Sequence, residues 1–210
     1  MSLDRRAADM LRTMAEMQEA HNRHVHPEWR TQGYEYYRAI WVECAELLDH
    51  FGWKWWKQQR ADLDQVKLEI VDIWHFALSD LLRAERLTND LAALLVFEPD
   101  AGDGDPVRFR AAVERLALTT LAERAFVMAP FAELMRALPM GYEELFRMYV
   151  GKNVLNNFRQ DHGYKTGEYQ KQWHGREDNE HLVEVLEGLS CDPEEVPANL
   201  YSALKARYPA

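Results

Sequence analysis

Two pairs of carboxylates constrain this chain more than any other feature. Glu43 and Glu46 lie three residues apart, and so do Glu69 and Asp72. On a helix of about 3.6 residues per turn, that spacing puts both members of a pair on one face. Each pair sits among apolar neighbours: Trp41, Val42, Cys44, Ala45 and Leu47 around the first, Leu68, Ile70, Val71 and Ile73 around the second. Two arrangements are open. The carboxylates can stand at the boundary and face water. Alternatively, two helices bring them face to face, where four ionised groups repel one another and lose hydration. A hard divalent cation removes that conflict, and ligands made only of oxygen select Mg²⁺ or Mn²⁺ over zinc.

The rest of the chain reads as helical. Gly and Pro are sparse, and no segment sustains the apolar–polar alternation of a half-buried strand. The patterns predict helices over 4–24 and 34–51, the second closed by Gly52. A third starts at Asp62, with Gln65 three residues on as in a capping box. Its Leu63, Val66, Ile70, Ile73, Ala77 and Leu81 recur at the spacing of one buried face. Residues 98–106 (EPDAGDGDP) read as a loop, and 107–137 as helical without a chemical motif. Further helices are expected over 142–160, closed by Gly163, and from Pro197 to Tyr208. Residues 161–180 look irregular and polar. The expected fold is all-α: a single domain, 1–210, forming a helical bundle with a carboxylate metal site between helices and a helical insertion at about 84–137.

Charge narrows the partners. The net charge is -10, which makes the chain a poor general binder of nucleic acid or anionic membrane. Residues 147–176 reverse that sign: Arg147, Lys152, Arg159, Lys165, Lys171 and Arg176 outnumber Asp161 and Glu168. Such a segment is either a solvated basic surface or the place where a small polyanion binds. No apolar run is long enough to cross a bilayer, and MSLDRRAADM lacks the apolar stretch of a signal peptide, so a cytoplasmic protein is expected. With only Cys44 and Cys191, the fold has no disulfide framework to lean on.

The segments ECAELLDHFGWKWWK (43–57), EIVDIWHF (69–76) and YVGKNVLNNFRQDHGYKTGEYQKQWHGREDN (149–179) carry a resemblance. With Gln18-x-x-x-Asn22, they resemble the dimeric all-α dUTPases, of the all-α nucleoside triphosphate pyrophosphatase superfamily that includes MazG-like enzymes. The likeness spans about 10–82 and 141–181 and leaves 84–137 as a variable part. It implies hydrolysis of dUTP to dUMP and pyrophosphate, dUDP as a second substrate, Mg²⁺ as cofactor and a homodimer. It assigns Glu43, Glu46, Glu69 and Asp72 to the metal, with Glu43 or Glu46 as general base. Gln18 and Asn22 would meet the base, and Trp53 or Trp56 would lie against it. Lys152, Asn156, Arg159, Tyr164, Lys165 and Lys171 would approach the phosphates, with Asn179 beside them. Arg159 has the fork geometry suited to phosphate.

Two rivals stand beside this reading. A relative in the superfamily could act on dCTP or other non-standard nucleotides. Asp72-x-x-His75 and Asp178-x-x-His181 also resemble the carboxylate-x-x-His of di-iron bundles, although those use Glu, and Asp178 falls in a stretch read as non-helical.

Overall fold

The computed structural model describes residues 3–97, 105–189, 191 and 195–209. Among them are eight α-helices: α1 (Leu3–Val25), α2 (Tyr36–Phe51), α3 (Leu63–Arg83), α4 (Pro106–Glu123), α5 (Met128–Arg136), α6 (Tyr142–Asp161), α7 (Asp178–Gly188) and α8 (Val196–Arg207). Three short 3-10 turns and a two-stranded antiparallel ribbon, β1 (Gln172–Trp173) and β2 (Arg176–Glu177), complete the described chain. The all-α expectation is met. None of the helices is long and apolar enough to cross a membrane. The chain divides into two units, Met1–Phe146 and Arg147–Ala210.

In the first unit α3 is the central helix. It starts as expected, with the Asp62 carboxylate accepting the Gln65 N–H at 3.2 Å. The periodicity predicts one buried face, but Val66, Leu68, Ile70, Val71, Ile73, Trp74, Ala77 and Leu78 are all fully buried. Burial extends round the helix because α2 packs along it and α1 packs against it too. Both neighbours of α3 thus cover polar positions as well as apolar ones, and Glu69, His75, Ser79 and Asp80 are buried with the rest. α2 stops at Gly52, whose φ of 91° is a conformation a side chain would strain, and the Gly52 N–H closes the last turn onto the Leu48 carbonyl at 2.9 Å. The Gly- and Asp-rich loop falls mostly at 98–104, outside the described residues. The described residues of 84–137 pack within this unit, α4 against α2 and α5 against α4.

Asp80 ties the C-terminal end of α3 to the turn before α5. Its carboxylate is 1% exposed, accepts from Arg83 and Arg86, and takes the Phe126 N–H at 2.9 Å. Phe126 in turn packs edge-on to Trp74 and to Phe131.

The second unit is built round Phe158 of α6, which is fully buried and in ring contact with His162, Tyr169, Trp173, Tyr201 and Tyr208. α6 and α7 approach closely at Gly151, where a Cβ would sit 2.6 Å from Leu186 Cδ1, so a larger residue there requires the Leu186 side chain to shift. The structure corrects the reading of 161–180. This stretch holds the ribbon and the first residues of α7, and Asp178 is helical. Glu177 and Glu180 form a reciprocal cap that starts α7 without Ser, Thr, Asn or Asp at the cap.

Asp80→Asn should lower unfolding free energy by about 3 kcal/mol, because it strips charge from a buried acceptor of three donors while both arginines still reach water. Urea unfolding of the parent and variant checks this.

Candidate active site

α2 and α3 pack side by side and bring carboxylates together. Oxygens of Glu43, Glu69 and Asp72 all lie within 4.8 Å of one another, with Glu69 buried and the other two half-buried. Glu46 is exposed and stands outside this group. The helical wheel explains the difference. The buried stripe of α2 is Tyr36, Ile40, Cys44 and Leu47. At about 100° per residue, Glu43 lies roughly 55° from the middle of that stripe and Glu46 about 115° from it. Spacing put the two on one face but did not say how close each comes to its centre.

The three acids cannot all stay ionised on their own. Burial pushes the Glu43 carboxyl up to about 9, helped by the Asp72 charge, a hydrogen bond to Glu69 and the charges of Glu69 and Glu46. Without a cation Glu43 therefore holds its proton near neutral pH. Oxygen donors only, gathered this closely, fit a hard divalent cation. His50, in the last turn of α2, adds an Nε2 at 3.5 Å from Glu69 Oε1. Sequence reasoning missed His50, yet it lies seven residues after Glu43, within about 20° of it on the wheel.

A second polar group lies between α1 and α3. Gln18 and Asn22, one turn apart on α1, are 3% and 7% exposed. Gln18 Nε2 donates to Asn22 Oδ1 and to Ser79 Oγ, each at 3.0 Å, and Gln18 Oε1 is 2.7 Å from His75 Nδ1. Asn22 Nδ2 donates to Ser79 Oγ at 3.0 Å. Ser79 was not a sequence candidate. It sits one turn after His75 on the same buried face, and that spacing was the available signal.

The three tryptophans after α2 are not core. Trp53, Trp55 and Trp56 are 46%, 89% and 57% exposed, and the Trp56 ring meets the other two edge-on. Trp53 Nε1 donates to Asp49 at 3.1 Å, and the Lys54 ammonium pairs with that carboxylate and lies over the Trp53 ring.

In the second unit five of the expected residues converge. Arg159 forks onto Asp178 through Nε at 2.8 Å and Nη2 at 2.9 Å. Its Nη1 donates to Asn156 at 3.1 Å, and its guanidinium faces the Tyr164 ring. Lys152, 1% exposed, donates to Asn179 at 2.9 Å. Lys165 and Lys171 are exposed, with Lys171 near Glu177. The fork read as a phosphate ligand is thus held by a carboxylate 19 residues further on. Asp178 and His181 do not form a metal pair either: Asp178 is taken by Arg159 and Tyr169, and His181 Nε2 is 3.0 Å from the Trp173 carbonyl.

The dUTPase family model matches residues 10–164. The chain belongs to the dUTPase family, and its reaction is the hydrolysis of dUTP. The match runs through 84–137 and ends at Tyr164, before Lys165, Lys171 and Asn179. Comparison with curated proteins gives no match.

Mg²⁺ at a hundred times its dissociation constant should stabilise the fold by about 2.7 kcal/mol. At this chain length that is roughly 5–10 °C in Tm. Glu69→Gln and Asp72→Asn should abolish both the shift and Mg²⁺-dependent turnover, while raising the Tm of the EDTA-treated protein. Glu46→Gln should keep the shift. Differential scanning calorimetry with and without EDTA reads all of these.

Asp178 yields a pH expectation. Burial alone would raise its pKa, but the Arg159 hydrogen bonds and charge, the Tyr169 hydroxyl and the Lys152 charge outweigh burial and hold it below 3.8. A depressed carboxylate stabilises the fold above its unfolded pKa and loses that contribution as pH falls through the folded value. Asp178→Asn should therefore be less stable than the parent at pH 6, with the gap closing below pH about 4. Urea titrations across that window measure it.

Proposed function

We propose that this dUTPase works with Mg²⁺, or Mn²⁺, held by Glu43, Glu69 and Asp72, and that it also hydrolyses dUDP. The observation that carries the reading is the meeting of three carboxylate oxygens within 4.8 Å between α2 and α3, in a chain of this family. A divalent cation there would neutralise phosphate charge and acidify nearby water. Glu46, outside the cluster and open to solvent, is the carboxylate left to take the proton from the attacking water. The water oxygen bonds to phosphorus as the phosphoanhydride bond breaks, giving dUMP and pyrophosphate from dUTP, or dUMP and phosphate from dUDP.

In this reading Gln18 and Asn22 meet the uracil edge, and Trp53 or Trp56 supplies the flat apolar surface. Their support is the buried amide pair and the exposure of both rings. Lys152, Asn156, Arg159, Tyr164, Lys165, Lys171 and Asn179 are assigned to the phosphates. The hydrogen bonds joining Arg159 to Asn156 and to Asn179, and Lys152 to Asn179, support treating those four as one network. The same reading has the enzyme act as a cytoplasmic homodimer. Three tryptophans exposed on a single chain favour the dimer, since such a patch is seldom left in water.

The test is side-by-side hydrolysis of dUTP, dUDP, dCTP, dTTP and dATP, with Mg²⁺ and with EDTA. Two unpaired polar groups against the wrong base cost about 1–3 kcal/mol each, so dUTP should exceed dCTP by a hundredfold or more. Equal efficiency on dUTP and dCTP overturns the base assignment, and full activity in EDTA overturns the metal.

A further inference from the structure

We propose that Ser79 is a specificity-determining positioning residue: its hydroxyl fixes which end of the Asn22 amide faces the nucleotide base. The proposal rests on the reading that Gln18 and Asn22 meet that base, and it goes further by saying what sets their direction.

A hydroxyl has one proton and two lone pairs. Around Ser79 Oγ stand the His75 carbonyl at 3.0 Å, Gln18 Nε2 at 3.0 Å and Asn22 Nδ2 at 3.0 Å, with Asn22 Oδ1 further off at 3.3 Å. The backbone carbonyl can only accept, and at the shorter distance it takes the proton. Both lone pairs then receive amide N–H groups. A flipped Asn22 would turn Oδ1 toward a hydroxyl whose proton is already committed. It would also set its N–H₂ against Gln18 Nε2, donor against donor. A flipped Gln18 would present its N–H₂ to His75 Nδ1, and its Oε1 to Asn22 Oδ1 and the spent hydroxyl. The two amides are therefore locked together, and Gln18 Oε1 at 2.7 Å sets the proton on His75 Nδ1. Tyr36, buried beside Ser79, also hydrogen-bonds with it and encloses the group.

The lock decides what Asn22 can offer. Its Oδ1 lies between Gln18 Nε2 at 3.0 Å and Ser79 Oγ at 3.3 Å, which close off both lone pairs, and one of its two N–H bonds goes to Ser79. What it has left is a donor. A donor suits a pyrimidine with a carbonyl at position 4 and repels one with an amino group there. Without the Ser79 hydroxyl the amide can turn and present oxygen to that amino group. Ser79 therefore acts on specificity without touching the base.

The experiment compares kcat/KM for dUTP and dCTP in the parent, Asn22→Ala, Ser79→Ala, Ser79→Thr and Ser79→Val, with Tm and the Mg²⁺-induced Tm shift for each. Thr and Val have the same shape and differ by the hydroxyl alone, so they answer the question if Ser79→Ala folds poorly. Ser79→Ala and Ser79→Val should cut the dUTP:dCTP ratio at least tenfold with the Mg²⁺ shift retained. Ser79→Thr should keep the ratio within threefold of the parent. If Asn22→Ala collapses the ratio while Ser79→Ala and Ser79→Val stay within twofold of the parent, Ser79 does not set the amide, and the base reading stands without it. If Asn22→Ala also leaves the ratio unchanged, the base reading itself fails and takes the proposal with it. Equal loss in Thr and Val means packing, not the hydroxyl, is responsible, and overturns the proposal.

Discussion

The packing of α2 along α3 creates an electrostatic conflict that the rest of the site depends on. Apolar side chains on both helices drive them together, with Ile40, Cys44 and Leu47 on one and Val66, Ile70 and Ile73 on the other fully or almost fully buried. The same contact draws Glu43, Glu69 and Asp72 together. Glu43 loses hydration and gains like-charged neighbours, and both push its carboxyl upward. Hydrophobic packing therefore holds the three carboxylates together against their mutual repulsion. Such a centre is preorganised: the helices fix the oxygens before anything binds.

Between α1 and α3 the structure meets the opposite problem, how to bury polar groups without charge. Gln18, Asn22, His75 and Ser79 are each 7% exposed or less, and they answer one another. Two residues one turn apart on α1 meet two residues one turn apart on α3. A network bonded in this way has few alternative orientations, which is why it can carry direction as well as stability. The acidic cluster and the amide group share α3, whose polar residues from Glu69 to Asp80 are buried by the neighbours that make it central.

Local signals in the sequence were easily read. Asp62 and Gln65 marked the start of α3, Gly52 the end of α2 and Pro197 the start of α8, because each acts within a few residues. The carboxylate spacing pointed to a shared centre, yet it could not separate Glu43 from Glu46, since the position of the buried stripe depends on what α2 packs against. α7 was missed because its cap is Glu177 with Glu180, and its apolar positions are interleaved with acidic ones. Ser79 and the Asp178 partner of Arg159 are tertiary facts. They join residues 57 and 19 apart, and no local pattern encodes such pairs.

The second unit shows how charge read from sequence can mislead about availability. Six basic residues over 147–176 suggested an anion-binding segment. Two of them, Lys152 and Arg159, are drawn inward and bonded to Asn179, Asp178 and Asn156, while Lys165 and Lys171 remain at the surface. The Arg159 fork is held at both tips by a carboxylate that is itself fully buried. An anion reaching Arg159 must therefore compete with Asp178, and the guanidinium is positioned by that carboxylate before any substrate arrives. Asp178 and Asn179 lie beyond the matched residues 10–164, but their partners Arg159 and Lys152 lie within them. The segment after Tyr164 is bound by these hydrogen bonds to the basic residues of the matched span. Its acidic and amide groups set where those cations sit, and its own lysines supply the charge left at the surface.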